Sequence, residues 1–423
     1  MRRPTSRQTA LLAAALLLPL LAVIYARARS SSYLLAQIQG VLATNRQSLD
    51  LSDSGAHFDA RLIDTRGKRI FFLGESHGVA INEDLDFDLL RYLHRTAHVR
   101  IYFPEMSYAH ACLLNRYLET GDEDLRELLF GELRNTSAWT RERRWFIRRI
   151  GAWNASLDRR DRIRMVGVDV EHQPRVSMRF LADSVVAAHR EAPGSIKATV
   201  ARIDAFLDSS SPCQPMWAFC ADLRQFAEEL VSSIQQHRSD YLALLGDRLF
   251  DFEIVANNLE KSSEFYRNRS QAFREQLMYD TFRRLYPRLA GENCYGRWGA
   301  DHIIQKRAQA PFQGHEPFAA MLNRPESPVA GQIVSIQPIY QHAYGTGSNG
   351  RTYEDRDVST PAPFLAPFAP LAQGSVTLFR IIGASSLLAR ELPFYPLGEG
   401  VQYVVFIRDA GAAHPPGKPI PHE

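Results

Sequence analysis

Two short stretches of this 423-residue chain repeat one spacing of glycine and histidine: Gly74-Glu75-Ser76-His77-Gly78 and Gly299-Ala300-Asp301-His302. A carboxylate beside an imidazole holds its tautomer, and the imidazole can then deprotonate water. Glycines flanking the first motif let the backbone turn sharply and approach a ligand closely. Further carboxylates stand just beyond two apolar runs. Glu105 follows Val99-Arg100-Ile101-Tyr102-Phe103, and Asp169, with Glu171 close behind, follows Arg164-Met165-Val166-Gly167-Val168. Such a set supports two chemistries. His77, Glu75, Glu105 and His302 can act without metal as an acid/base set for water. Alternatively, His77, Glu105 and His302 can ligate a divalent metal that keeps a position open for water. A helix-capping role is the rival for Glu105 and for Asp169. A serine nucleophile is not favoured: no Gly-x-Ser-x-Gly elbow is present, and Ser76 shares its tight turn with the histidine that would have to serve it.

These residues need elements to position them. Ile70-Phe71-Phe72-Leu73 reads as a strand ending on Gly74. Ile81, Leu85, Leu89 and Leu93 recur every four residues, which predicts a helix. Glu83, Asp84 and Asp86 lie in its first turns, where the helix dipole favours anions. The sequence strand, loop, helix then recurs through Val99–Phe103 and Arg164–Val168. That argues for an α/β fold, a largely parallel sheet flanked by helices, with ligands bound beyond the C-terminal strand ends. Residues 175–290 carry helix-period apolar residues and read as a helical insertion or cap. Further strands are expected at Gln332–Ile336, Ser375–Phe379 and Val401–Ile407. Tyr340 to Pro370 is rich in Gly, Pro and Ser, and is expected to be a long loop near the site. The basic stretch Arg141–Arg149 is expected to be a solvated helix face.

The two ends of the chain differ from this middle. Arg2, Arg3 and Arg7 precede an apolar run from Ala10 to Ala26, and Ala26-Arg27-Ala28 offers a cleavage pattern. Residues 1–30 are therefore expected to be a signal peptide or a transmembrane signal anchor, placing the rest outside the cytoplasm, in the periplasm or at the cell surface. Residues 31–66 form a lead-in, 67–410 the α/β domain, and 411–423 a Pro-rich tail expected to be disordered. Cys213 and Cys220 are spaced to close a short disulfide loop in an oxidising compartment, while Cys112 and Cys294 would have to meet in space. The formal net charge of +3 and the absence of an aromatic-basic array exclude a nucleic-acid partner from the expectations.

Six stretches in order resemble the erythromycin esterase-like proteins, a family grouped with Tiki-type metalloproteases and a bacterial haem-iron uptake family. They are Leu73–Gly78, Phe103-Pro104-Glu105-Met106 with Asn115-Arg116-Tyr117-Leu118, Trp153-Asn154 with Gly167-Val168-Asp169, Phe273–Met278, Trp298–His302, and Tyr403–Ile407. The resemblance implies a crevice between an α/β core and a helical insertion. It makes His77 the base for water, with Glu75, Glu105 and His302 beside it. It also places Arg274 and Glu275 on the crevice, where with Asp169 they would contact substrate. The chain departs from the esterase members at Ala300-Asp301, where those members carry a His-Asn pair. What remains is similar to the Tiki-type signature. The expectation is an exported or membrane-anchored hydrolase that cleaves an ester or lactone of a small-molecule or envelope-derived substrate. Cofactor need is open between none and a divalent metal. Alternatives are a metal-dependent peptidase or amidase, a non-catalytic haem or metal binder, and an envelope lipid or polysaccharide tailoring enzyme.

Overall fold

The computed structural model describes residues 31–51, 58–185, 192–207, 220–306, 314–348, 353–392, 397 and 400–416. The N-terminal apolar run and Cys213 lie outside them, and so do the anchor and disulfide expectations. Cys112 and Cys294 are both free thiols. Among the described residues, no helix is long and apolar enough to cross a membrane.

A helix over residues 31–43 (α1) leads into β1 (Arg46–Ser48). The first half of the core then runs β2 (Ile70–Glu75), α2 (Ile81–Ala97), β3 (Val99–Tyr102), α3 (Tyr108–Thr120), α4 (Glu123–Gly131), α5 (Arg141–Ser156) and β4 (Arg164–Met165). A run of helices follows: α6 (Pro174–Val185), α7 (Gly194–Ala205), α8 (Ala221–Gln236), α9 (Arg238–Leu245), α10 (Leu249–Asn268) and α11 (Gln271–Leu285). The chain returns to the sheet with β5 (Asn293–Gly299), α12 (Phe318–Leu322), β6 (Ile333–Ser348), β7 (Tyr353–Asp357), α13 (Ala362–Leu365), β8 (Val376–Arg380), α14 (Ser385–Glu391) and β9 (Tyr403–Ala410).

The strands form one mixed sheet in the order β1-β8-β9-β6-β2-β5-β3-β4, with β7 on the far end of β6. Its centre is parallel: β2 pairs with both β5 and β6, β3 with β5 and β4, and β6 with β9. The β1–β8, β8–β9 and β6–β7 pairs are antiparallel. Parallel strands are covered on both faces and so read as continuous apolar runs, as Ile70-Phe71-Phe72-Leu73 does. All four side chains are buried. Phe72, Phe103, Trp298 and Phe318 stack into an aromatic layer under the strand ends, with ring centroids 5.1–6.3 Å apart.

Several expectations need correction. Strand β5, in the middle of the sheet, was not expected, because Gly296 and Arg297 interrupt its apolar run. Gly296 is required there: a Cβ would fall 1.6 Å from the carbonyl oxygen of Phe103, where β3 passes. The strip from Tyr340 is not simply a loop. Strand β6 continues to Ser348 and turns back into β7, so paired backbone replaces open chain. Residues 411–416 of the tail are part of the fold. Val79 bridges Ala412, the Ala80 amide donates to the Gly411 carbonyl, and His414 is held by Glu142 at the start of α5. The lead-in is also part of the fold, since β1 adds an antiparallel edge strand to β8.

Candidate active site

Both G-x-x-H motifs lie at the C-terminal ends of adjacent parallel strands. In register, Gly74 faces Trp298 and Glu75 faces Gly299. A repeat 225 residues apart in sequence becomes a pair of neighbours because β2 and β5 share one ladder. The centre of the site is Gly299. A methyl group built on it would sit 3.2 Å from Glu105 Oε2, 3.4 Å from His302 Cδ2 and 3.5 Å from His77 Nε2. Glu105 reaches this point because β3 ends beside β5, and its Oε2 accepts the Gly299 amide at 2.6 Å. His77, Glu75, Glu105 and His302 are thus brought together.

The turn that carries His77 is clamped from three sides. Gly78 has φ +78°, and a Cβ there would fall 2.1 Å from the Thr346 carbonyl oxygen, so only glycine fits. Its own carbonyl accepts from the amides of Thr346 and Ala413. Asn82 donates to the Ser76 carbonyl and to Glu75 Oε2, and the Tyr340 hydroxyl donates to Asn82. His77 Nδ1 meets Glu75 Oε1 at 2.8 Å, which leaves Nε2 facing the crevice. Desolvation works against the charged ring, but the bond to Glu75 and the charge of Glu105 outweigh it and raise the His77 pKa above 6.5. Burial likewise pushes Glu75 up, and Arg297 and His77 more than offset it, holding the carboxyl below its usual range.

Sequence reasoning missed Arg297. It is buried in β5 and touches three carboxylates: Glu75 at 3.2 Å, Glu83 at 2.6 Å and Asp86 at 3.3 Å. Glu83 and Asp86 therefore face inward rather than serving the helix dipole. Burial raises Asp86 to about 6, against the pull of Arg297. The signal was present as a lone arginine inside Cys294-Tyr295-Gly296-Arg297-Trp298. A charge in an apolar strand needs a buried partner.

His302 sits in a different environment. It is buried, with Nδ1 2.6 Å from Glu275 Oε1 and Nε2 3.4 Å from Glu105 Oε1. Burial opposes its charge, but Glu105 and Glu275 raise its pKa to about 10. It is an imidazolium at neutral pH. Arg274, from α11, donates to Glu105 at 2.5 Å and to both oxygens of Asp169 at 2.5 and 2.8 Å. Despite burial, these cations hold both carboxyls well below the ordinary range. Helix α3 is capped by Ser107, so Glu105 is not its cap. Glu275 is fully buried and contacts His302, His315 and the Phe318 amide. It braces His302 rather than lining the crevice.

The crevice holds about 370 Å³. His77, Glu75, Glu105, Arg274 and Arg297 form its polar floor. Leu114 from α3, Leu129 and Phe130 from α4 and Ile147 from α5, with Met106 before α3 and Leu133 after α4, make an apolar wall. Arg143 is buried on this wall, so the basic stretch of α5 is not simply a solvated face. His110, His172, Gln173 and Tyr266 also line the crevice, and none carried a sequence signal. Burial, reinforced by Arg143, lowers His110 to about 4, so it is neutral. Asn115 and Asn154, both in the resembling stretches, hold the β4 edge instead. Asn115 bonds both backbone groups of Met165, and Asn154 those of Ile163.

The donor set does not suit a divalent metal. Both oxygens of Glu105 are occupied, by Arg274 and His302 on one side and by the Gly299 amide on the other. His302 is already paired at both ring nitrogens, with Glu105 and Glu275, and the fixed charge of Arg274 lies 2.5 Å from the would-be ligand Glu105. Among the described residues, no three His, Cys, Asp or Glu side chains are placed to hold a metal ion.

No curated protein sequence matches this chain significantly. Three solved structures share its fold. A protein from Bacillus cereus is 13% identical, with a TM-score of 0.65, over 90% of this chain and 99% of that one. A succinoglycan biosynthesis protein is 14% identical, with a TM-score of 0.63, over 90% and 98%. A mutant of the erythromycin esterase EreC, in its open conformation, is 15% identical, with a TM-score of 0.58, over 82% and 92%. The family model for erythromycin esterase matches residues 98–316, just over half of the chain. That match takes in Glu105, Asp169, Arg274, Glu275 and His302. The chain belongs to the erythromycin esterase family and is an esterase-like hydrolase.

Proposed function

We propose that the protein cleaves a carboxylic ester or lactone of a small, partly apolar molecule, with His77 as the base that activates water. The observation that carries this is the asymmetry of the two histidines. His77 has a side chain 51% exposed to the crevice, with one carboxylate behind it and Nε2 open. His302 is buried and paired at both nitrogens. A base must present a free nitrogen to water, and its pKa should lie near working pH. His77 meets the first condition, and, despite burial, its bond to Glu75 raises its pKa from the ordinary histidine value. His302 and Arg274 then hold Glu105 and bring positive charge to where an oxyanion would develop. The apolar wall takes the non-reacting body of the substrate. Asp169 and Arg274 shape the floor beside it, and Glu275 acts through His302.

The N-terminal run Ala10–Ala26, behind three arginines, supports an extracytoplasmic location, secreted or anchored. The substrate then comes from the cell envelope or its surroundings. N-terminal sequencing and fractionation of the protein from its host test this, and a cytosolic protein retaining residues 1–30 would refute it.

The enzymatic test is turnover of small alkyl and aryl esters and lactones by purified protein. A His77→Asn variant that keeps its fold should lose about 10²–10⁴-fold in kcat. Full activity in that variant would defeat the proposal.

A further inference from the structure

We propose that Arg297 is a positioning residue that fixes where His77 carries its hydrogen: it keeps Glu75 a pure acceptor, so the neutral ring is protonated on Nδ1 and offers a bare Nε2 to water. This rests on the water-activating role of His77 proposed above and names the residue behind it. In the register of β2 and β5, Arg297 pairs with Leu73, and Gly299 pairs with Glu75. Side chains two residues apart share a face of the sheet, so Arg297 lies beside Glu75, one pleat further back. Its Nε stands 3.2 Å from Glu75 Oε2, and the two side chains are only 8% and 12% exposed, so salt screens the pair little.

The bonds around Glu75 restrict where a proton can sit on it. The Ser76 amide donates to the Tyr340 hydroxyl, and that hydroxyl donates to Asn82 Oδ1. Asn82 Nδ2 then donates to the Ser76 carbonyl and to Glu75 Oε2. Glu75 Oε2 thus faces an amide N–H and a guanidinium, neither of which accepts. A proton on Glu75 has its place on Oε1 alone, in the 2.8 Å contact with His77 Nδ1. When the ring is neutral, one hydrogen lies in that contact, either on Nδ1 or on the carboxyl. If it sits on the carboxyl, the ring carries its own hydrogen on Nε2, and Nε2 cannot take a proton from water.

The charge of Arg297 decides between the two. Burial pushes Glu75 toward the neutral acid, and Arg297 opposes it. Among the described residues, Arg297 is the fixed cation in contact with Glu75. Its other partners have further support: Glu83 has Arg143 at 3.5 Å, and Asp86 has the hydroxyls of Tyr102 at 2.6 Å and Tyr295 at 2.8 Å. Loss of the guanidinium therefore falls hardest on Glu75. Two more titratable groups face the pair. Glu105 favours a proton on either partner, and Tyr340 is kept neutral by burial.

The test is nitrogen-15 NMR of the imidazoles in the full chain, with His77 assigned by comparison with His77→Asn. In the parent, the neutral His77 ring should carry its hydrogen on Nδ1. In Arg297→Gln it should shift toward Nε2, kcat/KM on an ethyl ester should fall about 100-fold, and the rising limb of the pH profile should move to lower pH. Arg297→Lys keeps the charge, so it should keep the parental tautomer and limb and lose no more than about tenfold in rate. A parental ring protonated on Nε2 would overturn the proposal. So would a limb that moves to higher pH in Arg297→Gln, because Arg297 would then act on the ring only as a nearby cation. If Arg297→Gln does not fold, the parent spectrum and Arg297→Lys decide. A parent that turns over no ester defeats the ester-cleaving function, while the tautomer measurement still decides the role of Arg297.

Discussion

His77 and His302 stand at the same place in two copies of one motif, at the ends of neighbouring strands, yet they hold opposite states. His77 is half exposed and has one carboxylate partner, Glu75. His302 is buried between two, Glu105 and Glu275, which hold its proton to about pH 10. The same residue type at the same spacing becomes a base in one case and a fixed cation in the other. The deciding factor is what packs against the ring. The Gly78 turn faces the crevice, whereas His302 begins to dive under α11 and α12. A G-x-x-H motif therefore encodes placement at a strand end and leaves the protonation state to distant carboxylates.

The largest test of this contrast is stability. Replacing His302 by Asn leaves Glu275 buried with its main cation gone, and should cost about 3 kcal/mol. His77→Asn touches a half-exposed ring and should cost less than about 0.5 kcal/mol. Urea unfolding of the two variants measures both, and equal losses would erase the distinction. Next in size is Gly299→Ala. Its methyl would press between Glu105, His302 and His77, so kcat/KM should fall by about tenfold to a hundredfold with little change in unfolding midpoint. An unaffected rate would mean that the three side chains do not act at that point.

The pH profile gives a smaller but more specific effect. His77 must be neutral to accept a proton, and its pKa is raised, so activity should rise along a limb centred above pH 6.5. Glu75→Gln removes the charge that raises it, and the limb should move to lower pH. A shift upward would contradict the pairing. Stability should have the opposite signature at the other motif. The raised His302 pKa contributes stability fully below about pH 6.5, and this is lost as pH rises through about 10. The smallest expected effect is that of chelation: turnover after exhaustive treatment with EDTA should match the untreated protein. Loss of activity restored by one divalent metal would show that Glu105 can exchange Arg274 for a cation.

Much of this was legible locally. The strand-end positions of His77, Glu105 and Asp169 follow from apolar runs closed by polar residues, a pattern that short-range chain geometry produces. The helical insertion showed in its 3.6-residue periodicity. Arg297 was visible only as an oddity, and β5 was hidden by the glycine and arginine that make it functional. His172 and Tyr266 had no local mark, since their pairing joins the segment between β4 and α6 to α10 across 94 residues.

By itself, the sequence determined the α/β class, the family, and the set of acids and histidines that end the central strands. Backbone propensity, apolar periodicity and glycine placement are properties of neighbouring residues, and they survive in the one-dimensional chain. The tertiary structure alone decided that Gly74 and Gly299 lie side by side, that Arg274 binds Glu105 and Asp169, and that one histidine is open while the other is sealed. Those outcomes depend on strand order and on which charges share a desolvated space. In that space, Coulomb interactions between residues far apart in the chain are strong enough to set each proton.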